Sequence, residues 1–401
     1  MRTFGTLVSL SLAALPLAQA APIHTVADTE NVIPGSYIVV MKDDLTTETF
    51  DNHRNWVSNY NARGSMASRV RGGNHGVQHT YDFGALKGYA GIFDDDTINS
   101  IANTPDVAYI EPDRIMRASK IVTQEDAPSW GLGRISHAEA GVADYLYDDT
   151  AGSNITFYGV DTGIDITHPD FEDRAEWGTN VVDESDTDDN GHGTHTAGTA
   201  AGKEYGVAKK AHIVSVKVLN GQGSGSTSGI IKGMNWCVEH AKSTGVAGKA
   251  VMNMSLGGGR AQALDAAAAK AVEAGIFLAV AAGNEGQDAE NSSPAAEPSV
   301  CTVAATGEND SPPEWSNFGK VVDIYAPGDQ IVSAVPGGGS EAMSGTSMAS
   351  PHVAGVGAYL IGLEGISADA VCDRIKELAK PSVSNPGPNT TNRLLFNGVS
   401  E

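Results

Sequence analysis

Past residue 130, short apolar runs alternate with helical patterns, and this alternation limits the fold more than any other feature of the chain. The apolar runs cover residues 156–160, 213–219, 250–254, 276–281, 300–304 and 321–325. Helical patterns lie between several of them, including residues 230–242 and 263–274. Such alternation is typical of parallel strands connected by helices. We therefore predict the α/β class, with a mainly parallel sheet and helices on both faces.

One serine stands where the backbone could assist a nucleophile. Ser347 lies in the small-residue run Ser-Gly-Thr-Ser-Met-Ala-Ser-Pro-His over residues 344–352, before an apolar helical segment over 353–363. Free N–H groups at a helix N-terminus favour the negative charge that develops when a serine attacks an acyl carbon. Serines in such loops are more often turn or capping residues. A catalytic role therefore requires a base, an orienting carboxylate and an oxyanion donor elsewhere.

Three upstream residues have the properties of those partners. Asp161 follows the apolar run 155–160, so it is expected at the carboxyl end of a buried strand, where open α/β sheets place their sites. His192 lies between two glycines, which allow another backbone to approach closely. Asn284 follows a further apolar run, and its side-chain amide can donate a hydrogen bond to an oxyanion. The nearby His195 is interpreted as structural.

Three other interpretations of the same motifs do not fit the sequence. Aspartic proteases need two Asp-Thr-Gly or Asp-Ser-Gly segments, and the 401 residues contain only the one at Asp161. An α/β-hydrolase needs Gly-x-Ser-x-Gly and the order Ser, Asp, His, but Ala349 replaces the last glycine and the serine comes last. The helical zinc motif has Glu after its first histidine and four-residue spacing, unlike His192 and His195.

The chain resembles the subtilisin-like serine proteases, or subtilases, in four sequence blocks. These are Asp161-Thr162-Gly163, His192-Gly193-Thr194-His195, Ala282-Gly283-Asn284 and residues 345–351. The order Asp, His, Ser is that of subtilisin, and residues 294–303 are similar to the fungal proteinase K branch. The resemblance implies a secreted serine endopeptidase without a catalytic cofactor. In it Ser347 is the nucleophile and His192 its base. Asp161 orients the histidine, and Asn284 helps bind the oxyanion.

The resemblance also implies where an extended polypeptide substrate binds. Two segments would clamp it as added strands: Gly223-Ser224-Gly225 and Ser255-Leu256-Gly257-Gly258. The pocket for the residue before the scissile bond would be lined by Ser255, Leu256, Gly257, Ala281, Ala282 and Gly283. Because main-chain pairing does not depend on side chains, specificity should be broad, and small apolar walls without a buried charge predict a preference for aromatic or aliphatic residues over Lys or Arg. Gly258 and Gly259 are equally compatible with an ordinary turn.

Two structural features are implied in the same way. A structural Ca²⁺ would be bound by the carbonyls of Pro298 and Val300 with the carboxylate of Asp323, although the carboxylate alone would be interpreted as solvated. Cys301 and Cys372 would form a disulfide. Cys237, in a predicted helix, would then be a free thiol in the core. The acidic segment 183–189 is interpreted as a solvated loop.

The N-terminal part has the pattern of a processed precursor. Residues 1–20 predict a signal peptide, with Arg2, an apolar stretch over 7–17 and Ala-Gln-Ala before the cleavage point. That stretch is too short to span a bilayer, and no later run is long enough, so no membrane association is expected. Residues 21–120 resemble the inhibitor-type propeptide, a small α+β domain with strands over 33–42 and 107–113. An independent accessory domain is the alternative. Cleavage is expected near Lys120, which makes 121–401 the peptidase domain.

The chain is strongly acidic and contains several N-glycosylation sequons. The net charge of −23 argues against nucleic-acid partners. The resemblance implies that polypeptide substrates and the chain's own propeptide are the partners and that the enzyme is a monomer. Glycans are expected at Asn154, Asn291 and Asn389, whereas Asn253 lies in a predicted buried strand and should carry none.

A catalytically silent homologue that acts as a binding protein is the competing hypothesis. The presence of all four proposed site residues, Asp161, His192, Asn284 and Ser347, argues against it.

Overall fold

A computed structural model describes residues 20–24, 32–63, 76–83, 86–115 and 120–399. The predicted signal peptide, apart from its last residue, lies outside the described residues. The chain divides into two compact units, residues 1–118 and 119–401. No helix in the described part of the chain is long and apolar enough to cross a membrane.

The first unit is a small α+β domain with a four-stranded antiparallel sheet in the order β2-β3-β1-β4. Its elements are β1 (Val32–Met41), α1 (Thr47–Arg63), β2 (Gly76–Phe83), β3 (Leu86–Ile92), α2 (Asp95–Ala102) and β4 (Val107–Arg114). The two strands predicted here, over 33–42 and 107–113, are β1 and β4, and they pair with each other. Val39, Phe50, Tyr89 and Ile110 belong to its separate core.

The second unit is built on a seven-stranded, wholly parallel sheet in the order β15-β14-β12-β10-β7-β9-β8. Its strands are β7 (Thr156–Asp161), β8 (Ala175–Asn180), β9 (His212–Lys217), β10 (Ala250–Met254), β12 (Ile276–Ala281), β14 (Cys301–Thr306) and β15 (Ile324–Pro327). Three two-stranded pairs flank it: β5 (Ile121–Gln124) with β6 (Tyr145–Asp148), β11 (Gly258–Gly259) with β13 (Ser292–Ser293), and β16 (Ile331–Val335) with β17 (Gly339–Met343).

Helices cover both faces of this sheet. They are α3 (Trp130–Ser136), α4 (His192–Ala201), α5 (Thr227–Thr244), α6 (Gln262–Glu273), α7 (Thr346–Glu364) and α8 (Val371–Leu378). Helices α4, α7 and α8 pack in one hydrophobic core and helices α5 and α6 in the other. Neighbouring residues of β7 alternate between the two, with Phe157 in the first core and Tyr158 in the second. The predicted α/β class with helices on both faces is confirmed.

The differences from the predicted elements have local causes. Strand β8 contains Glu, Gly, Thr and Asn and lies at the edge of the sheet, so it lacks the apolar run that marks a buried strand. Helix α4 is rich in Gly and Thr, which are weak helix formers, and its sequence gave no helical signal. Helix α7 begins at Thr346, seven residues before the predicted apolar segment.

A buried ion pair joins α3 to the loop after β14. The guanidinium of Arg134 contacts both carboxylate oxygens of Asp310, with Nε 2.7 Å from Oδ1 and Nη2 2.8 Å from Oδ2. Its Nη1 donates to the carbonyl of His137 at 2.8 Å. Only 3% of the Arg134 side chain is exposed. Bidentate geometry makes this a strong contact, and loss of one partner leaves the other without its counter-charge.

We predict that Arg134→Ala lowers the free energy of unfolding by about 3–5 kcal/mol, the range for breaking a buried pair from one side. Arg374→Ala is the matched control, because Arg374 pairs with Glu364 at 2.9 Å while 36% of its side chain is exposed. That exposed pair should cost less than about 1 kcal/mol. Guanidinium unfolding in a Ser347→Ala background measures both, and equal losses in the two variants would contradict the prediction.

Candidate active site

The site begins at the carboxyl end of β7. Asp161 is the last residue of this central strand, and 1% of its side chain is exposed. Its Oδ1 accepts hydrogen bonds from the backbone N–H of Thr162 at 2.7 Å and from Nδ1 of His192 at 2.8 Å. Neighbouring β10 leads into the other half of the sheet, so Asp161 lies where the strand order reverses. Open α/β sheets place ligands at that point.

His192 is the first residue of α4. A Cβ on the next residue, Gly193, would lie 2.0 Å from the carbonyl oxygen of Gly163, so only glycine allows α4 to begin this close to the loop after β7. An ionised carboxylate can only accept, so Nδ1 of His192 carries the proton towards Asp161 and Nε2 is left as an acceptor. The side chain is 26% exposed, which leaves the ring reachable from solvent.

The surroundings of His192 shift its proton affinity. Burial by itself lowers the pKa of the imidazole, but the charge and hydrogen bond of Asp161 and the charge of Asp188 outweigh it. The pKa of His192 is therefore raised above its ordinary value of 6.5. Ionised Asp161 thus both orients the ring and stabilises its protonated form.

His195 has a different environment. It is fully buried, and its Nε2 lies 3.0 Å from the carbonyl of Ile331 and 3.2 Å from that of Glu341. Burial lowers the pKa of His195 to about 4, so the ring is neutral at ordinary pH. Its Nε2–H connects α4 to the β16–β17 pair. These contacts agree with a structural interpretation of His195.

Ser347 is the second residue of α7 and exchanges hydrogen bonds with Ser255, which follows β10. Its hydroxyl donates to the carbonyl of Ser255 at 3.2 Å, and the hydroxyl of Ser255 donates to the carbonyl of Ser347 at 2.7 Å. The second bond replaces a helical hydrogen bond that cannot form. Pro351 is four residues further along α7 and has no N–H, so the Ser347 carbonyl lacks its usual helical partner. The Ser255 hydroxyl supplies the missing donor.

Asn284 is held at the N-terminus of the same helix. Its Oδ1 accepts from the backbone N–H of Thr346 at 2.8 Å and from the Thr346 hydroxyl at 2.9 Å. A backbone N–H can only donate, so this contact identifies Oδ1 and fixes the orientation of the amide. The Nδ2 group consequently points away from Thr346, and the residue is exposed. Asn284 can therefore offer an N–H to a bound molecule.

A cavity of about 360 Å³ opens beside His192. It is lined by Thr162, Asn190, His192, Leu219, Gly223, Ser224, Gly225, Ile230, Ser255, Leu256 and Gly257. Six of the ten predicted substrate-binding residues are among them. Gly258 instead pairs with Ser293 in the short β11–β13 sheet. Ala281 and Ala282 are buried at the end of β12, and the N–H of Gly283 donates to the Thr346 hydroxyl at 3.1 Å.

The Asp323 carboxylate, which is expected to bind calcium, already has other partners. Oδ2 of Asp323 accepts from the Thr302 N–H at 3.0 Å, and Oδ1 lies 3.2 Å from Nζ of Lys376. Burial raises the pKa of Asp323 in spite of these two donors. The oxygen ligands suit a hard cation, but the Lys376 ammonium already holds the position of a counter-charge. Calcium would have to compete with it.

The cysteines divide into one bonded pair and one thiol. A disulfide links Cys301, on β14, to Cys372, on α8. Cys237 is a free and fully buried thiol on α5. Burial raises the pKa of the Cys237 thiol, which keeps it protonated and unreactive. It therefore acts as a small apolar residue of the core.

Comparison with known proteins identifies the family. Residues 152–395 match the subtilase family, and residues 36–119 match the peptidase inhibitor I9 family. The chain belongs to the subtilase family of serine proteases. It is a serine endopeptidase with an inhibitor-type propeptide, and the propeptide marks it as a zymogen.

Similar proteins support the same assignment over the full length. A subtilisin-like protease of Coccidioides posadasii is 56% identical over 98% of both chains. The subtilisin-like serine protease Pen ch 13 of Penicillium rubens is 54% identical over 99% of both. The crystal structure of a cold adapted subtilisin-like serine proteinase aligns with 68% of this chain and 98% of its own, at a TM-score of 0.64 and 43% identity.

Proposed function

We propose that this protein is a secreted endopeptidase of broad specificity in which Asp161, His192 and Ser347 form the catalytic triad. The observation that carries the proposal is the 2.8 Å hydrogen bond between Asp161 and Nδ1 of His192. It leaves Nε2 as the acceptor on a ring that lines the cavity. Ser255 lines the same cavity, and its carbonyl accepts from the Ser347 hydroxyl, so that hydroxyl lies at the edge of the cavity.

The positions of Ser347 and His192 support acylation of the serine by a peptide substrate. The Ser347 hydroxyl turns from the Ser255 carbonyl to Nε2 of His192, and its oxygen attacks the peptide carbonyl carbon while the proton moves to the imidazole. When the C–N bond breaks, protonated His192 gives that proton to the leaving amine. Water then repeats the sequence on the acyl-enzyme, with His192 again as base, and releases the acid. Asp161 stays ionised throughout and stabilises the imidazolium.

The negative charge on the carbonyl oxygen is stabilised at the N-terminus of α7. Nδ2 of Asn284 and the backbone N–H of Ser347 are the proposed donors. The N–H of Thr346 is already bound to Asn284 and serves to position it. Fixed donors of this kind stabilise the transition state without reorganising during the reaction.

The substrate is proposed to be an extended polypeptide. Backbone groups of 223–225 and 255–257 line the cavity and can pair with a strand without reading its side chains. Leu219, Ile230 and Leu256 supply apolar walls, and among the described residues that line the cavity His192 is the only titratable one. These walls favour aromatic and aliphatic residues over Lys or Arg.

Maturation is proposed to separate residues 21–120, as inhibitor, from 121–401, as peptidase. Cleavage near Lys120 would free the chain just before β5, whose pairing with β6 would hold the new N-terminus. The enzyme is proposed to act as a monomer outside the cell, where Asn154, Asn291 and Asn389 are all exposed and open to glycosylation. Asn253 is buried and bonded to Ser255 and Ser350, which leaves it unavailable.

We expect Ser347→Ala to abolish both maturation and proteolysis. The wild-type precursor should lose about a hundred residues and digest casein, because the nucleophile cleaves its own chain first. Removal of the nucleophile costs about 10⁶ in kcat. Intact mass and casein cleavage are measured with and without a serine-directed inhibitor. If the variant matures like the wild type and neither chain cleaves casein, a silent binding protein trimmed by another protease replaces this proposal.

Asn284→Ala should lower kcat by about 10²–10³, the cost of one oxyanion donor, with a small change in KM. Asn392→Ala is the matched control, because it removes an exposed amide from the same unit outside the cleft and does not lie in a glycosylation sequon. Steady-state kinetics on an aromatic peptide substrate provide the comparison. Unchanged kcat in Asn284→Ala would remove the residue from the mechanism.

Calcium is proposed to bind Asp323 with the carbonyls of Pro298 and Val300 in competition with Lys376. Lys376→Met should therefore increase the rise in melting temperature that calcium causes relative to a chelator, because the ammonium no longer competes. The double variant Lys376→Met, Asp323→Asn should lose that rise, and Lys320→Met, at an exposed lysine, should behave as the wild type. An equal rise in all four proteins would place calcium elsewhere.

A further inference from the structure

A second buried carboxylate lies beside the proposed triad. Asp188 precedes His192 by four residues, and 8% of it is exposed. Its Oδ1 accepts from the Thr162 hydroxyl at 2.8 Å and from the N–H groups of Gly191 at 2.9 Å and Asn190 at 3.2 Å. Its Oδ2 accepts from the N–H of Thr194 at 2.9 Å and from its hydroxyl at 2.6 Å. Both oxygens are thus fully engaged by donors, most of which belong to the first turn of α4 or the loop before it.

Thr162 connects this carboxylate to Asp161. Its N–H donates to Oδ1 of Asp161, while its hydroxyl donates to Asp188 and accepts from the N–H of Gly193 at 2.9 Å. One residue therefore contacts both buried carboxylates and the residue that follows His192. Any shift of α4 relative to β7 would break at least one of these bonds.

A buried cation holds the same two loops together. Lys217, the last residue of β9, is fully buried, and its Nζ donates to the carbonyls of Thr162 at 2.8 Å and Thr187 at 3.1 Å. Oδ2 of the half-exposed Asp189 lies 3.6 Å away. A buried ammonium is stable only with such partners, so Lys217 fixes the backbone on either side of the Thr162–Asp188 contact.

We propose that Asp188 is a positioning residue for His192, which it acts on through Thr162 and the first turn of α4. This inference rests on the proposed catalytic role of His192. Asp188 satisfies N–H groups at the start of α4 that have no partner within the helix, and its charge suits that end of the helix dipole. The result is a fixed distance between His192 and both Asp161 and the cleft.

The charge of Asp188 also acts on His192 directly. Among the described residues, the charges that act on the ring are those of Asp161 and Asp188. His195, on the same helix, stays neutral. The Lys217 ammonium contacts the loop carbonyls of Thr162 and Thr187, with Asp189 beside it. Burial lowers the pKa of His192, and the charges of Asp161 and Asp188 raise it. Loss of the Asp188 charge therefore lowers that pKa. Because neutral His192 is the base, the acid limb of the pH profile must then move to lower pH.

The first experiment is a matched pair at Thr162. Thr162→Val removes the hydroxyl, and Thr162→Ser retains it. The valine variant should lose about 10- to 100-fold in kcat, as expected for a misplaced base, with KM within about twofold. The serine variant should recover most of that loss. Rates are expressed per active site, from burst titration with a serine-directed reagent, so misfolded protein does not count.

The second experiment compares pH profiles of kcat/KM. Asp188→Asn should move the acid limb to lower pH because the negative charge is lost. It should also lower kcat, because the new N–H₂ group would face N–H and hydroxyl groups that can no longer donate to it. Glu184→Gln is the control, since it removes an exposed charge from the same acidic segment. Its acid limb should coincide with that of the wild type. If Asp188→Asn does not fold, the Thr162 pair decides alone.

Three results would overturn the inference: unchanged kcat in Thr162→Val, an equal loss in Thr162→Ser and Thr162→Val, or an unmoved acid limb in folded Asp188→Asn. His192→Ala, measured in parallel, separates this failure from that of the proposed function. If His192→Ala keeps wild-type kcat, the catalytic assignment itself is wrong. If it is inactive while the Thr162 and Asp188 variants are unaffected, only the positioning role fails.

Discussion

In a parallel sheet that helices cover on both faces, polar groups reach solvent mainly at the ends of the strands, and the position of the candidate site follows from that constraint. The central strands β7, β10, β12 and β14 are buried throughout because helices cover each face of the sheet. Asp161 ends β7, Ser255 directly follows β10 and Asn284 lies three residues past β12. Because β7, β10 and β12 are neighbouring parallel strands, these residues lie together at the carboxyl ends of the strands.

The helices that return to these strand ends bring the remaining groups. His192 opens α4 and Ser347 lies in the first turn of α7, and both helices belong to the same core. Free N–H groups at the start of α7 serve Asn284 and the proposed oxyanion, while those at the start of α4 serve Asp188. Pro351 leaves the carbonyl of Ser347 without its helical partner, and Ser255 fills that gap. The same backbone features that end a strand or begin a helix therefore position the residues of the candidate site.

The sequence predicted the central strands well because burial on two faces forces continuous apolar runs. Strands β10 and β12 have the predicted bounds, whereas the polar edge strand β8 and the Gly-rich helix α4 were missed because tertiary packing, not local propensity, forms them. Candidate site residues in short motifs, such as Asp161 and Ser347, could be proposed one by one. Asp188 and Lys217 were not, since Asp188 looks like one acid among several in a loop and Lys217 merely ends an apolar strand. Their roles depend on contacts between loops that no spacing rule encodes.

The most direct test of the central claim is the position of a covalent adduct. The mature enzyme is treated with a serine-directed phosphonate, and the adduct is counted by intact mass and located by peptide mapping. The account predicts one adduct per chain, on Ser347, with none formed by His192→Ala in the same time. Stoichiometric labelling of a different serine, or full casein cleavage by an enzyme that carries the adduct on Ser347, would contradict it.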